Sequence, residues 1–135
     1  MTPYARLRRS QIDAAARLQM LEQAGAFRRD SDTLPQLARE SGFRRYRRDD
    51  LLLTVGIPAT EAFLVVTGQL AVMVPTSDAE ICLELVTAGQ LLVLQEMLAG
   101  GSSPVRVVAD KDTDVLAIPA QALADGMEHS RGARA

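Results

Sequence analysis

The sequence predicts a mainly β (α+β) protein, an antiparallel jelly-roll barrel or double-stranded β-helix of about eight short strands with helices at both its N-terminal and C-terminal ends. Three observations predict it. Apart from one ambiguous run, 91–98, helical spacing of apolar residues occurs before residue 43 and after residue 118. Between them, short apolar runs alternate with turn residues every 8–12 residues or so, which is typical of sandwiches and barrels. The 135 residues are 47% hydrophobic and 24% charged, enough for one core.

Two helices are predicted before the barrel and one after it. The first spans 9–25, where Ser10 can cap the start with Asp13 three residues on, and Gly25 ends it. The second spans 34–41, with Thr33 as its cap and Gly42 at its end. The third spans 120–127 and begins after Pro119, because the fixed φ of proline suits a helix start.

The predicted strands are short apolar runs separated by turn residues. In the run 81–86, alternation with period 2 places Ile81, Leu83 and Leu85 on one face and Val86 on the other. The run 91–98 fits a strand and a helix equally well. The predicted strands cover residues 43–46, 51–55, 62–67, 70–74, 81–86, 105–109 and 115–118.

The predicted organisation is one domain over 1–135. It comprises an N-terminal helical segment (9–42), the barrel (43–118), a C-terminal helix (119–127) and a tail (128–135) that we expect to fray.

Charge is unevenly distributed along the chain. Residues 1–48 carry eleven arginines against five acids, a net +6, whereas residues 49–135 carry a net −8. Such a split fits contact with a nucleic acid, a membrane or a partner, and it also fits neutralisation within the fold. The densest basic run surrounds Tyr46 and is predicted as an interaction surface for a partner domain, with phosphate or lipid contact and a solvated strand edge as alternatives. Its residues are Arg44, Arg45, Arg47 and Arg48.

Four stretches carry a family resemblance. They are the run 21–37 with Phe27 between its helices, the run 46–70 with glycine turns at Gly56 and Gly68, the turn at Gly89, and the run 105–119 that ends at a proline. In order and spacing, over residues 15–127, they resemble the cyclic nucleotide-binding domain family. This family comprises the regulatory jelly rolls of catabolite activator proteins, protein kinase regulatory subunits and certain ion channels. The resemblance implies the jelly-roll fold and a sensor role in which the helical ends transmit a conformational signal.

The chain departs from this family where the ligand would bind. In nucleotide-binding members, the phosphate cassette supplies a glutamate for the ribose 2′-hydroxyl and an arginine for the cyclic phosphate. Counted from Gly89 without gaps, this chain places 92–94 (Leu-Val-Leu) and 103–105 (Ser-Pro-Val) at those motifs. Glu96 and Arg106 are displaced along the chain, so we expect their side chains to point elsewhere.

No cofactor is therefore expected, and cAMP and cGMP are disfavoured as ligands. If a rearranged nucleotide pocket survives, its candidate ligand-binding residues are Gly89, Glu96, Ser102, Ser103 and Arg106.

Composition also limits catalysis. With one histidine, His129, and one cysteine, Cys82, the chain has no Ser-His-Asp or Cys-His set and no common zinc pattern, so neither catalytic nor metal-binding residues are predicted. The acidic turn 110–114 lacks the glycine and glutamate of a calcium loop. The loop 100–103 has N–H groups that could cradle an anion but lacks a Walker lysine, and a plain flexible loop is the simpler interpretation.

We therefore expect a regulatory or sensor module, carried by a larger protein such as a channel or transporter and acting through protein–protein contacts. The alternatives are a functional cyclic-nucleotide sensor with a rearranged pocket and a cupin-like small-molecule enzyme. The expected partners are other domains of the host, a partner protein or a second copy of the chain. No DNA-binding element is visible, and a membrane is expected only through a host.

The expected location is the cytoplasm, including the cytoplasmic side of a membrane protein. Neither a signal peptide nor an apolar run of about 20 residues is visible, and a single cysteine fits a reducing compartment.

Overall fold

A computed structural model of the chain describes residues 13–25, 27 and 32–125. The described strands form two antiparallel sheets, which confirms the predicted jelly roll. In chain order they are β1 (Gly42–Tyr46), β2 (Leu51–Leu53), β3 (Glu61–Thr67), β4 (Gln69–Pro75), β5 (Glu80–Thr87), β6 (Leu91–Leu92), β7 (Arg106–Ala109) and β8 (Thr113–Pro119). Sheet A has the order β1-β8-β3-β6 and sheet B the order β2-β7-β4-β5.

The core is centred on β3 and β8, the two inner strands of sheet A. Leu64 pairs with Leu116 and Val65 with Val115, and all four side chains are at most 1% exposed. These strands are buried on both faces, which explains why their sequences are continuous apolar runs rather than alternating ones. Sheet B contributes alternate residues to the same core, including Leu70, Val72 and Val107.

Two helices precede the strands and one follows them, as predicted. Helix α1 (Ala14–Gln23) is capped by Asp13, whose carboxylate accepts a hydrogen bond from the Ala16 N–H at 3.0 Å; the predicted cap Ser10 lies outside the described residues. Helix α2 (Leu34–Glu40) begins after Thr33, which makes no side-chain capping bond.

Two residues at predicted helix boundaries belong to strands in the structure. Gly42 begins β1 instead of ending α2, and Pro119 is the last residue of β8. A helix that we call α4 occupies residues 120–125; the rest of its predicted span, 126–127, and the tail 128–135 lie outside the described residues.

The ambiguous run 91–98 contains both kinds of structure. It begins as β6, which pairs with β3, and continues as the short helix α3 (Gln95–Ala99). Gly100 ends α3 in the left-handed conformation, with φ 76°, which is the usual role of glycine after a helix.

The predicted apolar face of β5 is wrong. A bulge at Leu83 breaks the register, so that Glu84 pairs with Val72 but Cys82 pairs with Met73. Ile81 and Leu85 therefore lie on opposite faces of sheet B. Val86, which was predicted opposite the apolar face, is 1% exposed and belongs to the core, whereas Ile81, Leu83 and Leu85 are 58%, 66% and 48% exposed.

Candidate functional site

The segment that matches the family's phosphate cassette, residues 89–105, is built mainly from apolar side chains. Leu92, Met97 and Val105 are buried in the core cluster. Leu94, which stands at the position of the family's glutamate, is half-buried against the same cluster, and its N–H donates to Met97 Sδ at 3.2 Å. The one ionisable residue in the whole segment is Glu96.

The loop that follows α3 is hydrogen-bonded along its backbone to the turn between β2 and β3. The Gly56 N–H donates to Ser103 O at 2.9 Å, and the Ser103 N–H donates to Ile57 O at 2.9 Å. The Ala59 N–H donates to Gly101 O at 3.1 Å, and Ser102 and Pro58 form an isolated bridge. Because the N–H groups of residues 100, 101 and 103 all donate to backbone carbonyls, these three are not available to cradle an anion.

Ser103 stands where nucleotide-binding members carry arginine, and its hydroxyl is already satisfied. The side chain is buried, its Oγ donates to Val105 O at 2.7 Å, and the same oxygen accepts from the Val105 N–H at 3.1 Å. Both bonds stay within the loop, so this residue stabilises the turn into β7. Ser102 is exposed, and its backbone forms an isolated antiparallel β-bridge with Pro58.

Arg106 begins β7 and takes part in an ion pair at the edge of sheet B. Since its neighbour Val107 is fully buried, alternation directs Arg106 to the outer face of the sheet. Its guanidinium forms two hydrogen bonds with the Glu80 carboxylate, Nε to Oε2 at 2.7 Å and Nη2 to Oε1 at 2.6 Å. The paired carboxylate raises the pKa of Arg106, and the guanidinium lowers the pKa of Glu80.

The other two predicted ligand residues are positioned by backbone contacts. Glu96 is half-buried in α3, and its carbonyl accepts the N–H groups of Gly100 and Gly101. Gly89 lies in the turn between β5 and β6 with φ 87°, and its N–H donates to Val65 O at 2.8 Å.

The basic run of β1 divides between two faces. Arg44 forms a double hydrogen bond with Glu61 at 2.8 and 2.7 Å, which raises the pKa of Arg44. Arg45 pairs with Asp114 at 3.3 Å and lies 5.5 Å from the centroid of the Phe43 ring.

Arg47 and Arg48 are exposed at the turn after β1. Their N–H groups donate to Asp50 and Asp112, so carboxylates lie on both sides of this turn.

The acidic turn between β7 and β8 is occupied by structural contacts. The Asp110 carboxylate accepts from the Gln69 amide at 2.6 Å, and Asp112 accepts from the Arg48 N–H. Within residues 13–25, 27 and 32–125, no three His, Cys, Asp or Glu side chains are close enough together to hold a metal ion.

Two contacts of this site are not visible in the sequence. Arg106 pairs with Glu80, which lies on β5, on the far side of β4 from β7. The glycine turn predicted at Gly56 is present, with φ 86°, but the sequence does not indicate that the turn 56–59 pairs with the backbone of the cassette loop.

Comparisons with known proteins agree with this architecture. The sensor domain of the transcriptional regulator DNR from Pseudomonas aeruginosa superposes with a TM-score of 0.74 at 15% identity, over 85% of this chain and 79% of that one. A cyclic nucleotide-binding-like protein from Brucella abortus gives 0.65 at 22% identity, over 82% and 97%. A protein from Ruegeria pomeroyi described as cyclic nucleotide binding gives 0.72 at 18% identity, over 82% of this chain and 52% of that one.

This chain thus spans about half the length of the Ruegeria protein. No curated protein matches it in sequence. Among the described helices, none is long and apolar enough to span a membrane. The family model for the cyclic nucleotide-binding domain matches residues 43–130, well over half of the sequence, and with the two-sheet jelly roll this shows that the chain belongs to the cyclic nucleotide-binding domain family.

Proposed function

We propose that this chain is a regulatory module that has kept the sensor fold but does not bind cAMP or cGMP in the family's usual way. The observation that carries the proposal is the chemistry of residues 89–105, in which Leu94 and Ser103 stand at the positions of the family's glutamate and arginine. A buried cyclic phosphate needs a cation or several free N–H donors to offset its lost hydration. The described segment offers neither a guanidinium nor the N–H groups of residues 100, 101 and 103.

Electrostatics point the same way. Glu96 is the one charged side chain in the segment and would repel a phosphate. Arg106, the nearest guanidinium in sequence, lies on the outer face of sheet B with Nε and Nη2 both bonded to Glu80. Moving it into the cassette would break a double hydrogen bond and leave Glu80 without its partner.

The role that fits a sensor fold without the usual ligand is one of protein–protein contact. We propose that the module works in the cytoplasm as part of a larger protein, such as a channel or transport protein, or beside one. Its partners would be other domains of that host or a second copy of the chain, and it would have no catalytic activity. Membership in a family of regulatory domains supports this role.

The experiment is calorimetric titration of the full chain with cAMP, cGMP and cyclic di-GMP, beside a nucleotide-binding member of the family as positive control. We expect no saturable heat for any of the three up to about 1 mM, which corresponds to a binding free energy weaker than about −4 kcal/mol. A one-to-one isotherm in the micromolar range would contradict the proposal.

The same titration distinguishes this proposal from the alternative of a cyclic-nucleotide sensor with a rearranged pocket. If binding is seen, the variants Glu96→Gln and Arg106→Gln decide whether these residues supply the pocket. Loss of affinity in either would establish a cyclic-nucleotide sensor with displaced ligands.

A further inference from the structure

A groove lies between α2 and α4, and none of its described lining residues belongs to the cassette segment 89–105. Its volume is about 290 Å³, and seven described residues line it: Asp32, Thr33, Gln36, Leu37, Glu40, Ala122 and Asp125. Leu37 and Ala122 form its apolar floor; Leu37 is buried and Ala122 half-buried. We call this feature the α2–α4 groove.

The described rim of the α2–α4 groove is acidic. Asp32, Glu40 and Asp125 are all exposed, and none of the seven described lining residues is basic. Glu40 accepts from the Gln36 amide at 2.6 Å and Asp125 from the Gln121 amide at 2.9 Å, and these neutral donors leave both negative charges uncompensated. The guanidinium of Arg39 donates to Gln36 Oε1 at 2.6 Å, so this hydrogen bond does not go to a carboxylate.

The arrangement suits a helix better than an ion or a small molecule. The carboxylates are spread over two elements, and they do not form a metal-binding group among the described residues. The volume lies just below the roughly 300–1,000 Å³ of most small-molecule sites. An apolar floor between charged walls is the surface that an amphipathic helix recognises.

Spacing defines the partner further. Asp32 lies two residues before α2 and Glu40 is its last residue, and the seven residues of α2 span about 10 Å at 1.5 Å per residue. On a partner helix, side chains two turns apart (i and i+7) are separated by a similar distance, and apolar residues at i+3 and i+4 lie between them on the same face.

We propose that the α2–α4 groove binds an amphipathic helix of a partner protein, with lysine or arginine at i and i+7 against Asp32 and Glu40, and apolar residues between them against Leu37 and Ala122. This names a partner for the regulatory role proposed above. The groove is separate from the cassette, so a negative peptide result would leave the nucleotide titration unaffected, and the reverse also holds.

The probe is a fluorescein-labelled helical peptide of about 18 residues with lysines at i and i+7 and leucines at i+3 and i+4. The fluorescence anisotropy of the peptide is measured as the full chain is added, and we expect it to saturate at protein concentrations below about 1 mM. A peptide with glutamate in place of both lysines should not bind. The groove variant Asp32→Asn/Glu40→Gln should weaken binding about fivefold or more, because it removes the two charges that the lysines face.

The matched control is Asp78→Asn/Glu84→Gln, which makes the same change in net charge on the exposed β4–β5 hairpin. It should leave the affinity within about twofold. Ala122→Leu, which fills the groove without changing charge, should also weaken binding. Circular dichroism and urea midpoints establish that each variant folds.

Three results would overturn the proposal. They are the absence of saturable binding by the wild type, equal weakening in both charge variants, and a groove-dependent self-association in sedimentation that shows a second copy of the chain to be the occupant. Loss in the groove variant and in Ala122→Leu, with the control intact, would support it.

Discussion

Strands β8 and β5 have similar apolar sequences, yet the fold treats them in opposite ways. In β8, five side chains from Thr113 to Ile118 are at most 2% exposed, and Asp114 alone is accessible. In β5, every residue but Val86 is exposed. The difference is position: β8 lies between β1 and β3, whereas β5 is the edge of sheet B and pairs with β4 alone.

The comparison shows that neighbours decide burial more than the apolar pattern does. The alternating apolar residues of β5 predict a half-buried strand. The bulge at Leu83, however, shifts the register, so the apolar side chains lie on both faces of the sheet. Bulges at sheet edges also hinder pairing with other chains, and the charged Glu80 and Glu84 on the same strand act in the same direction.

The largest expected effect tests this contrast directly. Leu116→Ala in β8 should lower the free energy of unfolding by about 2–5 kcal/mol, because a fully buried leucine leaves a cavity. Leu83→Ala in β5 is the matched control and should change it by no more than about 0.5 kcal/mol. Urea denaturation measures both, and similar losses in the two variants would show that β5 is buried by an unrecognised contact.

A second test concerns the turn that joins the two sheets. A Cβ at Gly68, where φ is 91°, would lie 2.5 Å from Asp112 O and 2.5 Å from Thr113 Oγ1, so Gly68→Ala combines backbone strain with steric overlap. We expect a loss of about 2–4 kcal/mol in the same assay. Gly56→Ala has a similar φ but open space around the added carbon, and it should cost about 1 kcal/mol. If Gly68→Ala and Gly56→Ala lower the free energy of unfolding equally, the steric overlap at position 68 is relieved without an energetic penalty.

Thr113 provides a smaller effect at the start of β8. Its buried hydroxyl accepts from the Gln69 N–H at 3.1 Å and lies 2.7 Å from Lys111 O, to which it donates. Thr113→Val keeps the shape but leaves the Gln69 N–H and the Lys111 carbonyl without this partner, so we expect a loss of about 1–3 kcal/mol. Thr113→Ser, which retains the hydroxyl, should recover most of it; failure to do so would assign the loss to packing of the methyl group.

The smallest expected effects come from the two double hydrogen-bonded ion pairs, one on each sheet. Arg44→Gln should cost up to about 1 kcal/mol, since Arg44 and Glu61 are partly exposed and solvent screens the pair. Arg106→Gln should cost less, because its partner Glu80 lies on the exposed edge strand β5.

The lowered pKa of Glu80 fixes how the edge pair depends on pH. The Glu80–Arg106 pair stabilises the fold at pH values above the ordinary glutamate pKa. This stabilisation is lost as pH falls through the lowered pKa that Glu80 has in the folded protein. Carboxyl titration by NMR should show that Glu80 returns toward the ordinary value in Arg106→Gln. If the pKa of Glu80 is the same in Arg106→Gln as in the wild type, the ion pair is not the cause of the lowered pKa.

Much of the fold follows from local sequence. The apolar runs of β3 and β8 and the glycines at 56 and 68 place strands and turns within a few residues of the structure, because burial on both faces and positive φ each demand particular residue types. What could not be predicted depends on contacts between distant segments. The bulge in β5 and the pairing of Arg106 with Glu80 arise from the register between strands, which local alternation does not contain.

The cassette was predictable in composition but not in geometry. The apolar residues at the family's glutamate position and the serine at its arginine position are visible in the sequence. That the Ser103 hydroxyl bonds within its own loop, and that the loop is held by the turn 56–59, requires two segments more than 40 residues apart to be placed together.

We propose that the cassette of this family member is not equipped for a cyclic phosphate. A two-dimensional ¹H–¹⁵N NMR titration of the full chain with cAMP and cGMP tests this, with the amides of residues 89–105 as reporters. We expect that Leu94, Glu96 and Ser103 show no saturable shift up to about 1 mM nucleotide. Saturable shifts concentrated in this segment would contradict it.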